Sequence, residues 1–111
     1  MMVERSAILD RTYAALSDPT RRALLVALGR GDARISDLAE PLPMTFAGVS
    51  RHVAVLESAG LIRREVRGRE HWLSIRPDGL RDAERWIAEQ TAFWSERADA
   101  LAARLERTRR R

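Results

Sequence analysis

The stretch Thr45-Phe46-Ala47-Gly48-Val49-Ser50-Arg51-His52-Val53-Ala54-Val55-Leu56-Glu57-Ser58-Ala59-Gly60 decides the fold of this chain. Val49, Val53 and Leu56 recur at helical spacing, while Phe46, Ala47, Ser50, Arg51 and Ala54 fall on the opposite side. Thr45 is a favoured N-cap residue, and Ala59-Gly60 supplies a stop. The spacing therefore predicts a helix over 45–59 with an apolar inner face. A shorter helix is expected just upstream, from about Ser36 to Glu40, ended by Pro41 and Pro43. Two helices that cross steeply need a small residue where they touch, and Ala39 supplies it. Leu38, Leu42, Met44, Val49 and Val53 are placed to fill the wedge between them. Such a pair, over 36–59, is a helix-turn-helix whose second helix keeps its N-terminal outer face free for base edges.

Moving outward from Gly60, the periodicity changes from about 3.6 to 2. Ile62, Arg64 and Val66 alternate on one strand and His71, Leu73 and Ile75 on a second, with Arg67-Gly68-Arg69 as the turn. This hairpin, over 62–76, is the expected wing. Pro77-Asp78 ends it, and a last helix is predicted over 78–107 before the basic tail Arg109-Arg110-Arg111. On the N-terminal side, Ile8, Leu9, Tyr13 and Leu16 mark a first helix over 5–16. Asp18-Pro19 then starts a second helix carrying Leu24, Leu25 and Leu28, stopped by Gly29 and Gly31. The expected architecture is mostly α with a small β-hairpin, a single winged helix-turn-helix domain over 1–111.

Composition narrows the classes of function. The chain has 111 residues, 45% hydrophobic and 32% charged, which suits one modest core and not two. No apolar run approaches the roughly 18 residues of a membrane span. Met1-Met2-Val3-Glu4-Arg5 lacks the apolar stretch of a secretory signal, so a cytoplasmic location is expected. Cysteine is absent, which excludes disulfides, thiolate metal sites and thiol redox switches. Charge is unevenly spread: residues 45–76 hold six Arg against three acids, whereas 1–44 hold six against six and 77–111 eight against seven. The excess in the middle third fits contact with phosphate. Every basic residue is Arg, acidic regions included, and no function is read from that bias.

The outer face of the 45–59 helix has the chemistry of a major-groove reader, with double-stranded DNA as the expected partner. Arg51 can fork onto guanine O6 and N7, Ser50 can donate to a base or a phosphate, and Ala47 with Phe46 can meet thymine methyls. Thr45 and the open N–H groups of the first turn suit a phosphate oxygen. Arg67 and Arg69 flank the glycine at the wing tip, a geometry that lays guanidinium groups into a minor groove or along phosphates. Arg63 and Arg64, near the wing base, are candidates for further backbone contacts. His52, between Val49 and Val53, is expected to face the first helix of the motif as a satisfied, partly buried imidazole. His71 is expected to pack with Leu73 and Ile75. No metal site or cofactor is expected. No Ser/His/acid arrangement, phosphate-binding glycine loop or carboxylate cluster near a His points to an enzyme. The rival to a DNA reader is an interaction module that keeps the fold and acts as a co-regulator without reading DNA.

The last helix carries Leu80, Ala83, Ile87, Trp94, Ala98, Leu101 and Leu105 in a broad apolar stripe, with Trp86 and Phe93 beside it. One small domain can hardly cover so long a stripe, and isologous pairing with a second copy is the economical cover. A cavity lined by Trp86, Phe93 and Trp94, taking an apolar small-molecule effector, is the alternative use of these aromatics.

Taken together, Ala15-Leu16-Ser17-Asp18-Pro19-Thr20-Arg21-Arg22, Ile35-Ser36-Asp37-Leu38-Ala39, Val49-Ser50-Arg51-His52-Val53 and Leu56-Glu57-Ser58-Ala59-Gly60-Leu61-Ile62, with Gly68 in the wing, resemble the ArsR/SmtB group of bacterial repressors. The resemblance covers nearly the whole chain. It implies a homodimer joined by its first and last helices, with Ile8 and Leu9 meeting Trp86, Ile87, Trp94 and Leu101 at the interface. It also implies binding to an imperfect inverted repeat in the chain's own promoter region, and repression until something releases it. Many such proteins sense metals through cysteines on the first helix of the motif, where this chain has Arg34 and Ser36. Others use Asp and His on the last helix, but no histidine lies between Asp78 and Arg111. The chain is more similar to members with an aromatic pair in the last helix, here Phe93-Trp94.

Overall fold

The computed structural model describes residues 2–110, with side chains from Ser6 onward. Met1 and Arg111, the ends of the expected domain and tail, lie outside the described residues, as do the side chains of Met2, Val3, Glu4 and Arg5. The elements run α1 (Met2–Leu16), α2 (Pro19–Gly29), β1 (Ala33–Arg34), α3 (Ile35–Ala39), α4 (Phe46–Ser58), β2 (Ile62–Arg67), β3 (Glu70–Ile75) and α5 (Pro77–Arg109).

Local chemistry accounts for the boundaries around the motif. Asp18 sits in extended conformation and its carboxylate accepts the Arg21 N–H at 3.0 Å, while Pro19 takes the first position of α2. Thr45 does the same for α4, its Oγ1 accepting the Gly48 N–H at 3.0 Å. A cap of this kind stabilises a helix by about 1 kcal/mol. At the other end of α4, Gly60 adopts φ 74°, and two bonds close the helix. Leu61 N–H reaches the Leu56 carbonyl and Gly60 N–H the Glu57 carbonyl, both at 3.0 Å. This is the Schellman pattern, and its usual apolar pair is Leu56 with Leu61, both fully buried.

Those two leucines lie in one core with Leu24, Leu25 and Leu28 of α2, Ile35 of α3, Val49 and Val53 of α4, and Ile62 and Leu73 of the sheet. Leu38, Ala39 and Leu42 pack partly against it, as the wedge between α3 and α4 requires. Met44 does not: it is 36% exposed and lies over the first turn of α4, its sulfur near Gly48. The chain leaves the wedge at Leu42, so Met44 is already on the rim.

The hairpin forms with Ile62 opposite Ile75, Arg64 opposite Leu73 and Val66 opposite His71, and Arg67, expected in the turn, is the last residue of β2, paired with Glu70. Gly68 takes φ 64° in the two-residue turn between Arg67 and Glu70, the position where a II′ turn needs it. Toward the tip the wing projects beyond the core, so Val66 is exposed despite its alternation. The sheet has a third strand that periodicity did not announce. Ala33–Arg34 pairs antiparallel with β3, giving the order β1-β3-β2. Two residues are too few to show a period.

The outer helices pack less completely. In α1 the inward residues are Thr12 and Ala15, not the larger Ile8 and Leu9: Thr12 is buried with its hydroxyl on the Ile8 carbonyl, and Ile8 is 48% exposed. Small residues let α1 lie close to α2 and α4. Among the described residues, the 33-residue α5 has its buried contact near its start. Tyr13 donates to the Ala83 carbonyl at 3.2 Å and meets Trp86 edge-on, while Ala83 is the buried residue of the helix. Most of the helix beyond that point is exposed, and the molecule measures 75 × 34 × 21 Å.

Candidate nucleic-acid interface

The start of α4 assembles the first part of the site. With Val49, Val53 and Leu56 turned inward, Phe46, Ala47, Arg51 and Ala54 are exposed and Ser50 is half-buried. Thr45 uses an oxygen lone pair to cap Gly48, which leaves its own O–H and the N–H groups of Phe46 and Ala47 at the open end of the helix. Arg51 makes no hydrogen bond or ion pair among the described residues. The five residues expected to meet DNA on this face or its cap, Thr45, Phe46, Ala47, Ser50 and Arg51, therefore share one surface, with Ser50 the most withdrawn.

His52 is half-buried and partnered, as expected, but not by α3. Its Nδ1 lies 3.2 Å from Arg21 Nη1 and 3.8 Å from Asp18 Oδ2, both at the start of α2. A guanidinium only donates, so the contact is a hydrogen bond when Nδ1 is the unprotonated, accepting nitrogen of the ring. Asp18 in turn is held below the usual carboxylate range, chiefly by the Arg21 backbone N–H, with the nearby His52 and the Arg21 guanidinium acting in the same direction.

The wing is the second part, and its arginines differ from one another. Arg67 pairs with Glu65 at 3.2 Å and its guanidinium stands 4.9 Å from the centre of the Trp72 ring. The hydrogen bond to Arg67 lowers the Glu65 carboxyl, and the same bond raises Arg67. Arg69, next to it at the tip, is exposed and makes no hydrogen bond or ion pair among the described residues. At the base, Arg63 is exposed, but Arg64 is not available as a free phosphate contact. It joins Glu57 of α4 at 3.3 Å to His71 at 3.1 Å and so braces the wing against the reading helix.

A further brace was not legible in the sequence. Arg34 of β1 binds Asp37 of α3 at 2.9 Å and Glu70 of β3 at 2.5 Å, and its guanidinium carbon lies 6.0 Å from the centre of the Trp72 ring. Both carboxylates raise the Arg34 pKa, the Glu70 hydrogen bond most. Arg34 and Trp72 thus tie the first helix of the motif to the wing. The signal that finds them is the pairing of β1 with β3, in which Arg34 stands opposite Trp72.

Away from this surface, the aromatic face of α5 is open. Trp86 is 40%, Ile87 49%, Trp94 64% and Leu101 57% exposed, and Leu9 is half-buried beside Ile8 on α1. Trp86, Ile87, Gln90, Thr91, Trp94, Ser95 and Ala98 line a groove of about 400 Å³. Phe93 is not part of it: it turns toward Arg97 and meets Trp94 edge-on, so the cavity expected from three aromatics has only the two tryptophans.

Comparison with known proteins agrees with this geometry. A family model described as a helix-turn-helix domain matches residues 16–65. The transcriptional repressor SdpR of Bacillus subtilis is 30% identical over 79 residues, 71% of this chain and 88% of its own length. The HTH-type transcriptional regulator Rv2034 of Mycobacterium tuberculosis is 37% identical over 71 residues, 64% of this chain and 66% of its own length. Among solved structures, the ArsR family transcriptional regulator RHA00566 superposes with a TM-score of 0.78 at 38% identity, covering 81% of this chain and 93% of that one. An ArsR-like transcriptional regulator from Rhodococcus sp. RHA1 gives 0.77 at 33% identity, covering 86% and 91%. Sheet, motif and relatives converge: the chain belongs to the ArsR/SmtB family of winged helix-turn-helix transcriptional regulators.

Proposed function

We propose that two copies of this chain form a cytoplasmic repressor that reads an inverted-repeat operator, α4 of each copy lying in a major groove. The observation that carries the reading is the division of α4 into an inner face that is wholly buried and an outer face on which Arg51 has no partner among the described residues. A long, unpaired guanidinium beside Ser50 and Ala47 is matched to a guanine edge and its neighbours. Arg69, and Arg67 from its place on Trp72, extend the contact to the backbone or minor groove at the edge of the half-site. The second copy binds through Ile8, Leu9, Trp86, Ile87, Trp94 and Leu101, which sets the half-sites about one helical turn, or a small multiple, apart. The names of the relatives support regulation of transcription, and SdpR is itself a repressor.

Purified protein should protect two half-sites in the DNA upstream of its own coding sequence. Binding to that DNA no tighter than to random duplex of equal length overturns the reading and leaves the co-regulator.

A further inference from the structure

One side-chain cluster at the back of the reading helix has no part in the DNA contacts above. Arg21, in the first turn of α2, sends its guanidinium nitrogens in three directions. Nε donates to the Ala15 carbonyl at 2.8 Å, Nη2 to the Ala14 carbonyl at 2.8 Å, and Nη1 to His52 Nδ1 at 3.2 Å. Ala14 and Ala15 are in the last turn of α1, where a cation is favoured; the Ala14 carbonyl also accepts from the Ser17 N–H at 3.2 Å and the Ser17 hydroxyl at 2.6 Å. His52 is the residue after Arg51 on α4. A single rigid, planar group therefore joins the end of α1 to the reading helix, and its fork fixes both distance and angle.

We propose that Arg21 is a positioning residue for DNA reading, holding the outer face of α4 at a set angle to α1 through His52, and that protonation of His52 releases this hold. The proposal rests on the DNA-reading function above. It adds that α1, which also carries the proposed dimer contacts Ile8 and Leu9, transmits the spacing of the two copies to their reading helices.

The proton dependence follows from donor and acceptor counting. A neutral ring accepts from Arg21 at Nδ1; an imidazolium has two N–H donors and no acceptor, and meets the guanidinium as a like charge. Asp18 Oδ2, 3.8 Å from the same nitrogen, is the alternative partner. Its carboxyl is held below the ordinary range, so it stays anionic while a histidine titrates. Among the described residues, Arg21 of α2 and Asp18, the N-cap of that helix, are the charged side chains within hydrogen-bond or ion-pair reach of the ring. From α1 the cluster receives only the two carbonyls. Protonation thus exchanges the partner that bridges to α1 for one that does not.

The test uses the full chain and two probes: a duplex recovered by the wild type from a random-sequence pool, and an unrelated duplex of equal length. At pH 8, Arg21→Gln and His52→Leu should each weaken binding to the recovered duplex about tenfold, the scale of one charge-assisted hydrogen bond. Binding to the unrelated duplex should change less than about twofold, because phosphate attraction does not depend on the angle of α4. His52→Asn offers Arg21 an amide oxygen near the place of Nδ1, so it should bind the recovered duplex more tightly than His52→Leu. Between pH 8 and 5.5 the wild type should lose specific affinity that His52→Asn keeps. Equal affinities and equal pH profiles for His52→Asn, His52→Leu and wild type would make His52 mere filler and overturn the proposal. So would a loss in Arg21→Gln that falls equally on both duplexes. If the pool yields no preferred sequence, the DNA-reading function itself fails; if it does and the variants do not separate, only this inference fails.

Discussion

The reading helix α4 and the second half of α5 carry equally regular apolar stripes, yet they end in opposite situations. Along α4 the stripe of Val49, Val53 and Leu56 is 1% exposed or less, closed by α2, the sheet and Leu61. Along α5 the stripe continues through Ile87, Trp94, Leu101 and Leu105, and the last three are 57–64% exposed. Periodicity reports that a face is to be buried; it does not report by what. The first face finds its cover within the chain, whereas the second extends past anything the chain can place over it. A helix of this length runs about 50 Å, well beyond a domain of this size.

The largest effect should come from breaking the closed side. Leu56→Ala empties a fully buried site that also anchors the C-terminal cap of α4, so unfolding in urea should show a loss of about 3 kcal/mol. A loss below about 1 kcal/mol would mean that the inner face of α4 is not the keystone it resembles. The open side should respond differently. Trp94→Ala removes no buried contact within one chain, so the helicity of the folded protein should persist. Self-association should weaken about 30-fold, roughly 2 kcal/mol for an aromatic anchor of an interface, as read by sedimentation velocity over a dilution series. Unchanged self-association would show that this face does not hold a second copy.

The same comparison explains what could be read from the residues. Features set by neighbours in sequence were legible: Thr45 and Asp18 as caps, Gly60 as a stop, Gly68 in the turn, and the inner and outer faces of α4. Features set by tertiary approach were not. His52 meets Arg21, 31 positions away, and Arg34 meets Glu70, 36 positions away. With every basic residue an arginine, composition has no means of separating a brace such as Arg64 from an exposed side chain such as Arg51. Met44 was misplaced for a related reason, since the pattern of apolar residues through Pro41 and Pro43 does not tell where the chain leaves the wedge.

Within the reading surface, Arg51→Ala should have an intermediate effect that sharpens the contrast between specific and general attraction. A bidentate contact to a base is worth about 1–3 kcal/mol of discrimination, so affinity for a selected duplex should fall about tenfold or more. Affinity for an unrelated duplex should fall only by the loss of one charge. Parallel losses on both duplexes would reassign Arg51 to phosphate.

The smallest effect separates the two wing arginines, and it turns on a difference that neither position in sequence nor exposure alone supplies. Arg69 has no partner among the described residues, so Arg69→Ala should lower the magnitude of the slope of log affinity against log salt by about 0.9, one phosphate's worth of counterion, with equal loss on every duplex. Arg67 is tethered by Glu65 and Trp72, and removing it does two things: it deletes a cation and leaves the Glu65 carboxylate unpaired beside the DNA backbone. Arg67→Ala should therefore weaken binding more than Arg69→Ala, and the added change Glu65→Gln should recover part of the difference. If Glu65→Gln recovers nothing in the Arg67→Ala background, the pair is a solvated contact of the free wing. Arg67 then contributes to DNA binding only as a charge, on the same footing as Arg69.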